Sequence, residues 1–473
     1  MYRYLVAEKY FEKIDVFEQR SSVGGIWNYS PSSDKTKRGL TSVPQLNPNE
    51  PPEEPIWHQQ GKGQKNDEAD FISPLYSRLE TNIPKEIMQF SDRSFAYDTP
   101  LFPKHRMVKK YLEDYADDVR QLIHFETQVL DLKSNGHGTG SWGLTTRSLR
   151  SGIKKTDLYD AVVVASGHYA VPYIPDIAGI KTWNSAYPGV ISHSKFYDSP
   201  EFFHDKKVVV VGNSASGVDI GAQISEFCRG KLLLSSKTLE TIFSGTSDTD
   251  KIDCPEIVEF LSPSSHNRGI KFANGRVEEG IDAIVFSTGY FYSYPFLSSL
   301  NPPVVTNGER AMNVYEQLFY TYDPTIVFPV LPQRVIPFPL SENQAAVFAR
   351  VWSDRLSLPS QAEMKSWEDA VVSKKGNGKP FHFLNFPQDA DYLNFLYDWA
   401  AKAKKRPGLE NSGNGKQGPR WGDKERWLRQ RFPEIRKAYV GKGQQREKVK
   451  NTKELGFNYE EWELEQKRGA SRL

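Results

Sequence analysis

Lys207-Val208-Val209-Val210-Val211-Gly212-Asn213-Ser214-Ala215-Ser216-Gly217 is the stretch from which the architecture can be read outward. Four consecutive β-branched residues closed by glycine predict a strand buried on both faces, the habit of parallel sheets in α/β proteins. Beyond it, GVDIGAQISEF (Gly217 to Phe227) carries Val218, Ile220, Ile224 and Phe227 at helical spacing. Strand, glycine-containing turn and helix together make a site for a dinucleotide pyrophosphate, because the free N–H groups and dipole of the helix N-terminus favour an anion. Gly212 takes the role of the first glycine, the tight turn, and Gly217 that of the third, close helix–strand packing. Ser214 stands where the second glycine would be; its Cβ pushes the phosphate outward and its hydroxyl can donate to it. Ser216 and Asp219 either support this turn or cap the helix. A tight turn without ligand is the competing reading, which the buried strand before and the amphipathic helix after disfavour. The next strand, Leu232 to Ser236, ends with Ser236 and Lys237. A hydroxyl and a cation suit the 2′-phosphate of NADP where an acid would suit NAD, so NADPH is expected, with a merely solvated Lys237 as the alternative.

Three further runs read as strands of the same kind, buried on both faces: IDVFE (Ile14 to Glu18), AVVVASG (Ala161 to Gly167) and IDAIVFSTG (Ile281 to Gly289). Strands alternating with helices predict α/β architecture with two Rossmann-like doubly wound sheets. The polar segment Pro31 to Asp70 reads as a surface excursion, and Ser134 to Thr156 as a hairpin or meander connection. From about Ser353 onward charged and aromatic residues predict helices packing aromatic faces on the body. The chain has 473 residues, 38% of them hydrophobic, enough for several domains with a substantial core. Lys plus Arg (61) against Asp plus Glu (59) leaves a net charge of +2, which argues against nucleic acid as a partner. No apolar run reaches the length of a membrane helix, so no integral membrane anchor is expected. Cys228 and Cys254 form neither a disulfide framework nor a redox pair, and a cytoplasmic setting is expected.

Glu18 ends its strand as the acid expected on the ribose of another dinucleotide. Such an acid lies about 20 residues past the glycine turn, which here falls before Met1. The strand and GxGxxG that would precede it are not in the sequence. What precedes Ile14 reads as a helical remnant with Tyr2, Leu5 and Val6 on its buried side. The chain is either an N-terminally shortened version of a longer one or lacks a central strand by design; the first is expected, since a parallel sheet without its middle strand exposes unpaired edges.

From Val16 onward the landmarks resemble one family in order. VFEQRSSVGGIW (Val16 to Trp27) is similar to its flavin-side glycine segment, and LETNIPK (Leu79 to Lys85) to the segment with an active-site Asn. Tyr187-x-Gly189-x-x-x-His193-x-x-x-Tyr197 is similar to its fingerprint, with Tyr187 in place of Phe. FSTGY (Phe286 to Tyr290) and PFPLSENQA (Pro337 to Ala345) complete the set. The chain is identified as resembling the flavin-containing monooxygenases of a soluble, fungal type, over roughly Val16 to Pro359.

The resemblance implies an NADPH-binding domain (179–317) inserted in an FAD-binding domain (1–178 and 318–473), the latter with a helical C-terminal extension. It implies FAD and NADPH as cofactors and cofactor contacts at Glu18, Gly24, Gly25, Trp27, Thr81, Asn82, Gly212, Ser214, Ser216, Gly217, Ser236, Lys237, Thr288, Gly289 and Tyr290. It implies no metal. Hydride would pass from NADPH to FAD, O2 would be captured as a C4a-hydroperoxyflavin, and a soft nitrogen or sulfur of a small amine or sulfide would take the oxygen. Asn82 is the catalytic candidate, an amide donor to the peroxide region, with a loop-capping Asn as the alternative. His193 reads as a structural ring joining strand to loop beside Tyr197. Tyr197, where Baeyer-Villiger relatives carry Trp, favours heteroatom oxygenation, with a Baeyer-Villiger enzyme as runner-up. A flavin-deficient NADPH-binding pseudoenzyme is the alternative from another class, and a homodimer is left open. A flavin-linked disulfide reductase is disfavoured, because it needs a close cysteine pair.

Overall fold

The computed structural model describes residues 1–31, 39–58, 68–135, 140–238 and 250–470. At its centre the Val208–Val211 strand lies in a five-stranded sheet in the order Ile191–His193, Ala283–Phe286, Val208–Val211, Leu232–Ser235, Lys251–Cys254, with every pair parallel. The two-residue period of a strand divides its side chains between two layers. Val209, Leu233, Ile284 and Phe286 face one core cluster, while Val208, Val210, Leu232, Leu234, Ala283 and Val285 face another. The second layer is roofed by the nucleotide helix, Ala215–Ser225, through Ile220 and Ile224. The first is closed by Trp183 of the Ile180–Ala186 helix and by Ile257, Phe260, Ile270 and Phe272 of an antiparallel sheet. Val208, Val209 and Val210 are at most 1% exposed, and each buried valine of this kind contributes roughly 1.5 to 3 kcal/mol. A valine run is thus what a strand covered by layers on both faces requires.

The register of this sheet positions the site. Val211 is level with both Ser235 and Phe286, so Gly212, Ser236 and Ser287 leave the sheet side by side at its carboxyl edge. That edge is where open α/β sheets take their ligands.

The other half of the molecule holds two separate parallel pairs. Val16–Phe17 pairs with Ile123–His124, and Val162–Val163 pairs with Ile326–Val327, which continues through Phe319–Tyr320 to Val314–Tyr315. Phe17 of one pair and Val162 of the other pack against the same core cluster. The expectation that these two runs are buried on both faces is corrected here: Val16, Phe17, Val162 and Val163 are half-buried, and Ala165 to Gly167 are exposed. Among the described residues each of the strands Val16–Phe17 and Val162–Val163 has a partner on one side only. The segment expected as a meander is one: Thr127–Ser134, Trp142–Ser148 and Lys154–Tyr159 form an antiparallel sheet. The excursion Pro31 to Asp70 lies partly outside the described residues; in its last part Ile56–His58 pairs with Glu68–Asp70.

The N-terminal helix, Tyr2–Ala7, buries Tyr4 and Leu5 and leaves Val6 exposed, which corrects the expected face. Tyr4 goes inside because its hydroxyl finds Glu342 (3.3 Å) and the Gln417 carbonyl (3.2 Å). The buried helix Pro337–Trp352 packs on Gln388–Ala401. The C-terminal helices bury Trp427, Phe432 and Tyr439 against Ile87, Leu101 and Phe102, the aromatic packing expected from their composition. Chain passes between the two halves at Val171–Pro172 and Tyr290–Phe291, which pair with each other.

Candidate functional site: a dinucleotide cleft

The turn after Val211 is built so that only glycine fits twice. Gly212 has φ +111°, and a Cβ on it would lie 2.6 Å from the Ser287 carbonyl oxygen. A Cβ on Gly217 would lie 1.8 Å from the Gly212 carbonyl oxygen. The turn is held by Gly212 N–H donating to the Ser235 carbonyl (2.8 Å) and Ser287 N–H donating to the Val211 carbonyl (2.7 Å). Ser214 is the N-cap of the nucleotide helix, in extended conformation, and its side chain makes no capping bond. Ser214 and Ser216 are exposed. Val218 N–H returns to the Ser214 carbonyl (3.0 Å), so the N–H groups of Ala215, Ser216 and Gly217 are left to the helix mouth. Beside this turn the buried Ser287 hydroxyl has no partner among the described residues.

Ser236 and Lys237 stand at the next strand end. Ser236 Oγ and Asn213 Nδ2 both donate to the Thr238 carbonyl at 2.7 Å, lacing this loop to the glycine turn. The Lys237 side chain is 86% exposed, with Glu256 at 3.8 Å.

Thr288, Gly289 and Tyr290 lead back toward the other half. Thr288 Oγ1 donates to the Tyr173 carbonyl, and Tyr173 N–H donates to the Gly289 carbonyl (3.0 Å). Tyr290 packs edge-to-face on Tyr169 (5.5 Å) and His193 (5.1 Å). His193 is fully buried; its Nδ1 accepts from Lys195 N–H at 3.1 Å and its Nε2 faces the Gly289 carbonyl at 3.1 Å. This is the structural ring read from the sequence, and burial holds its pKa down at about 3. Lys379, which sequence reasoning missed, reaches over from the C-terminal part to the Thr288 carbonyl (3.4 Å) and the Tyr173 ring (4.0 Å). Its only sequence signal is a cation in the turn-forming run GNGKP.

On the flavin side of the resemblance, Glu18 lies at the end of Val16–Phe17 and accepts from Arg20 N–H at 2.9 Å; burial pushes its pKa up against the opposing pull of Arg20. Gly24 and Gly25 have φ of +104° and +51°, and open space lies where a Gly25 Cβ would be. Trp27 closes that turn through its N–H to the Gly24 carbonyl (2.9 Å), and Lys109 braces it by donating to the Val23 carbonyl (2.6 Å). Thr81 is buried, bonded to Pro103 and Arg436, while Asn82 beside it is exposed. Tyr76, which the sequence reading left out, donates to Asp219; Ser214 is the N-cap of the helix and Asp219 lies in its second turn, so Asp219 is not the cap.

The glycine cradle, the open helix N-terminus and the partnerless Ser287 hydroxyl fit a nicotinamide dinucleotide. Glu18 and the open face of Gly25 fit the ribose and ring of a flavin. Among the described residues, no strand, glycine turn and helix stand beside Val16–Phe17 to take its pyrophosphate. Among the described residues there is also no His, Cys, Asp and Glu cluster suited to a metal and no helix long and apolar enough to cross a membrane.

A Rossmann-like parallel sheet with a glycine cradle at its carboxyl edge, beside a half of the molecule built on two further parallel pairs, defines the class, that of two-domain dinucleotide oxidoreductases. The family model described as flavin-binding monooxygenase-like matches residues 61–252 and 256–411, and the chain belongs to that family. It is 37% identical over 320 residues to the thiol-specific monooxygenase of Saccharomyces cerevisiae, covering 64% of this chain and 69% of that one. It is 31% identical over 411 residues to the flavin-containing monooxygenase FMO GS-OX-like 2 of Arabidopsis thaliana, covering 84% and 80%. Among solved structures, S-allyl-L-cysteine S-oxygenase from Allium sativum superposes with a TM-score of 0.72 at 25% identity, covering 95% of this chain and 93% of that one. The fold is accordingly the two-domain α/β fold of the flavin monooxygenases, with a helical C-terminal extension, and the enzyme type is flavin-containing monooxygenase.

Proposed function

We propose that this chain is an NADPH- and FAD-dependent monooxygenase, cytoplasmic, that oxygenates soft nucleophilic sulfur or nitrogen in small molecules. The observation that carries the reading is the Gly212 to Gly217 cradle, whose two sterically obligatory glycines open a helix N-terminus at the carboxyl edge of the sheet. The thiol-specific and S-oxygenase relatives weigh toward sulfur. Flavin, when bound, would supply the activation of O2.

The residues of this chain do the rest. Ala215, Ser216 and Gly217 N–H groups receive the pyrophosphate, with Ser214 and Ser216 hydroxyls beside it. Ser236 and Lys237 receive the 2′-phosphate. Thr288, Gly289 and Tyr290 line the junction of the domains; the nucleotide domain expected as 179–317 is better bounded near Tyr290, because Tyr292, Leu297, Val304 and Val314 pack in the core of the other half. Glu18, Gly24, Gly25, Trp27 and Thr81 shape the flavin side. Asn82 is exposed, and its amide would serve as the donor to the reacting oxygen; loss of one such preorganised donor costs about 100- to 1000-fold in rate. The role of His193 is to fix the Gly289 carbonyl, not to move a proton.

The test is to titrate the purified chain with FAD and NADPH and then supply a thioether, a tertiary amine or a ketone. Sulfoxide or N-oxide formed in proportion to NADPH consumed supports the reading, and ester from the ketone would replace it with a Baeyer-Villiger enzyme. NADPH binding without FAD binding would support a second reading, a flavin-deficient NADPH-binding protein.

A further inference from the structure

We propose that Tyr76 is a positioning residue whose hydroxyl holds the Asn82 segment in register with the nucleotide helix. The proposal rests on the reading of Asn82 and of the NADPH cradle given above.

The contacts form a closed ring. Tyr76 OH donates to Asp219 Oδ2, in the second turn of the helix whose N-terminus forms the cradle. The same oxygen accepts from Gln223 Nε2 at 3.1 Å, and Gln223 Oε1 accepts from Tyr197 OH at 3.0 Å. The ring closes where Tyr76 and Tyr197 meet edge-to-face with centroids 5.3 Å apart. Both tyrosines are nearly fully buried. Burial and the charge of Asp219 raise the Tyr76 pKa far above neutrality, so its hydroxyl remains a donor.

On either side of this ring the segment is pinned to different halves of the molecule. Ser77 donates twice to the Asp198 carbonyl, through N–H (3.0 Å) and Oγ (2.9 Å), and Arg78 pairs with Glu201 and lies over Phe227. Those partners belong to the nucleotide domain. Three residues on, Glu80 is held by Arg446 (3.1 Å) and Arg436 (3.5 Å), and the Thr81 carbonyl accepts from Arg436 (3.2 Å). These partners belong to the C-terminal extension. Asn82 is the next residue, at most about 20 Å of chain from Tyr76. Ring packing and ion pairs supply adhesion between the halves. Within this set the Tyr76 hydroxyl supplies the directional bond to the nucleotide helix itself, and hydrogen-bond geometry is what selects one register. Anchoring the helix with a dinucleotide therefore also anchors the residue that carries the Asn82 amide.

Tyr76→Phe keeps the ring and removes only this bond, and Asp219→Asn keeps an acceptor for it. The measurement is amide hydrogen exchange over Leu79 to Ile87, with and without NADP+, on the full chain. In the parent protein and Asp219→Asn, NADP+ should slow this exchange about threefold or more, and in Tyr76→Phe by less than about 1.5-fold, with NADP+ affinity within about threefold throughout. With FAD and a thioether present, Tyr76→Phe should release about threefold more peroxide per NADPH consumed while NADPH oxidation stays within about twofold. Full NADP+ protection retained in Tyr76→Phe, or none in the parent protein, would overturn the proposal. A purely structural tyrosine would lower affinity and both rates together, which would overturn it too. If the parent protein forms no oxygenated product, the monooxygenase reading fails and the exchange comparison still decides the role of Tyr76.

Discussion

His193 and Gly289 are joined through the imidazole Nε2–H, which donates to the Gly289 carbonyl at 3.1 Å. The proton must sit on Nε2 because Nδ1 is already the acceptor for Lys195 N–H at 3.1 Å. Both ring nitrogens are thus committed inside a fully buried site, and protonation at Nδ1 would break a backbone bond. His168 is also buried, and burial lowers its pKa to about 4, as it lowers that of His193 to about 3. In the unfolded chain both return to about 6.5. A depressed histidine pKa means that the unfolded state binds more protons below 6.5, so stability falls as pH drops from 6.5 toward these values. Each histidine should remove about 2 kcal/mol between pH 6.5 and 5. Urea unfolding at both pH values checks this, and His193→Gln should flatten the dependence; an unchanged slope would contradict the assignment.

The two glycines of the cradle differ from a third in the same helix. Gly217→Ala would drive a methyl into the Gly212 carbonyl, a backbone atom that cannot yield without opening the turn. Gly221→Ala meets only the tip of the Leu232 side chain, at 3.1 Å. Gly217→Ala should abolish NADPH binding or destabilise the domain by about 3 kcal/mol or more. Gly221→Ala should stay within about 1 kcal/mol of the parent, since alanine gains helix propensity. Calorimetric NADPH titration together with thermal unfolding separates the two outcomes.

How far the sequence could be read follows from where each signal resides. The Val208 to Gly217 stretch was legible because strand burial, turn and helix each impose their own local pattern there. The same reasoning overstated Ala161 to Gly167, since an apolar run records what a strand prefers to touch and not whether both its neighbours are there. Tyr4 was overlooked in favour of Val6 because a hydroxyl that finds Glu342 and Gln417 leaves no periodic mark. The link of Tyr76 to Asp219 spans 143 residues and exists only once the two halves meet. Glu18, Gly24, Gly25 and Trp27 were placed by order and spacing, and the structure adds why: a glycine turn in left-handed conformation, braced by Lys109.

Lys237 is 86% exposed beside the strand end that adjoins the cradle, with Glu256 as a partner at 3.8 Å. Lys237→Ala should weaken NADPH binding about tenfold, the worth of one charge-assisted hydrogen bond, and leave NADH within about twofold. Glu256→Gln removes a competitor for the ammonium and should tighten NADPH slightly. Raising salt should narrow the gap between parent and Lys237→Ala, because an exposed pair is screened. Equal losses for NADPH and NADH would remove Lys237 as the phosphate contact.

Glu8 and Arg355 bind the N-terminal helix to the C-terminal part of the chain. Arg355 Nη1 lies 2.8 Å from both Glu8 carboxylate oxygens, and the two side chains are 1% and 3% exposed. Ser353 Oγ also donates to Glu8 at 2.8 Å, and Arg355 Nη2 donates to the Asn414 carbonyl at 2.8 Å. At this depth the attraction between the charges roughly offsets the cost of taking both from water, whereas a guanidinium without its carboxylate keeps only neutral carbonyl acceptors, those of Lys404, Gly413 and Asn414, against its desolvation. Glu8→Gln, which keeps the shape and removes the charge, should therefore cost about 3 to 5 kcal/mol by urea unfolding. Glu8→Gln combined with Arg355→Met should cost less than the sum of the two single changes, because the second substitution removes the stranded charge that made the first expensive. Strict additivity would mean that the pair is hydrated in solution and that the anchoring of the N-terminal helix lies in Tyr4 and Leu5 alone.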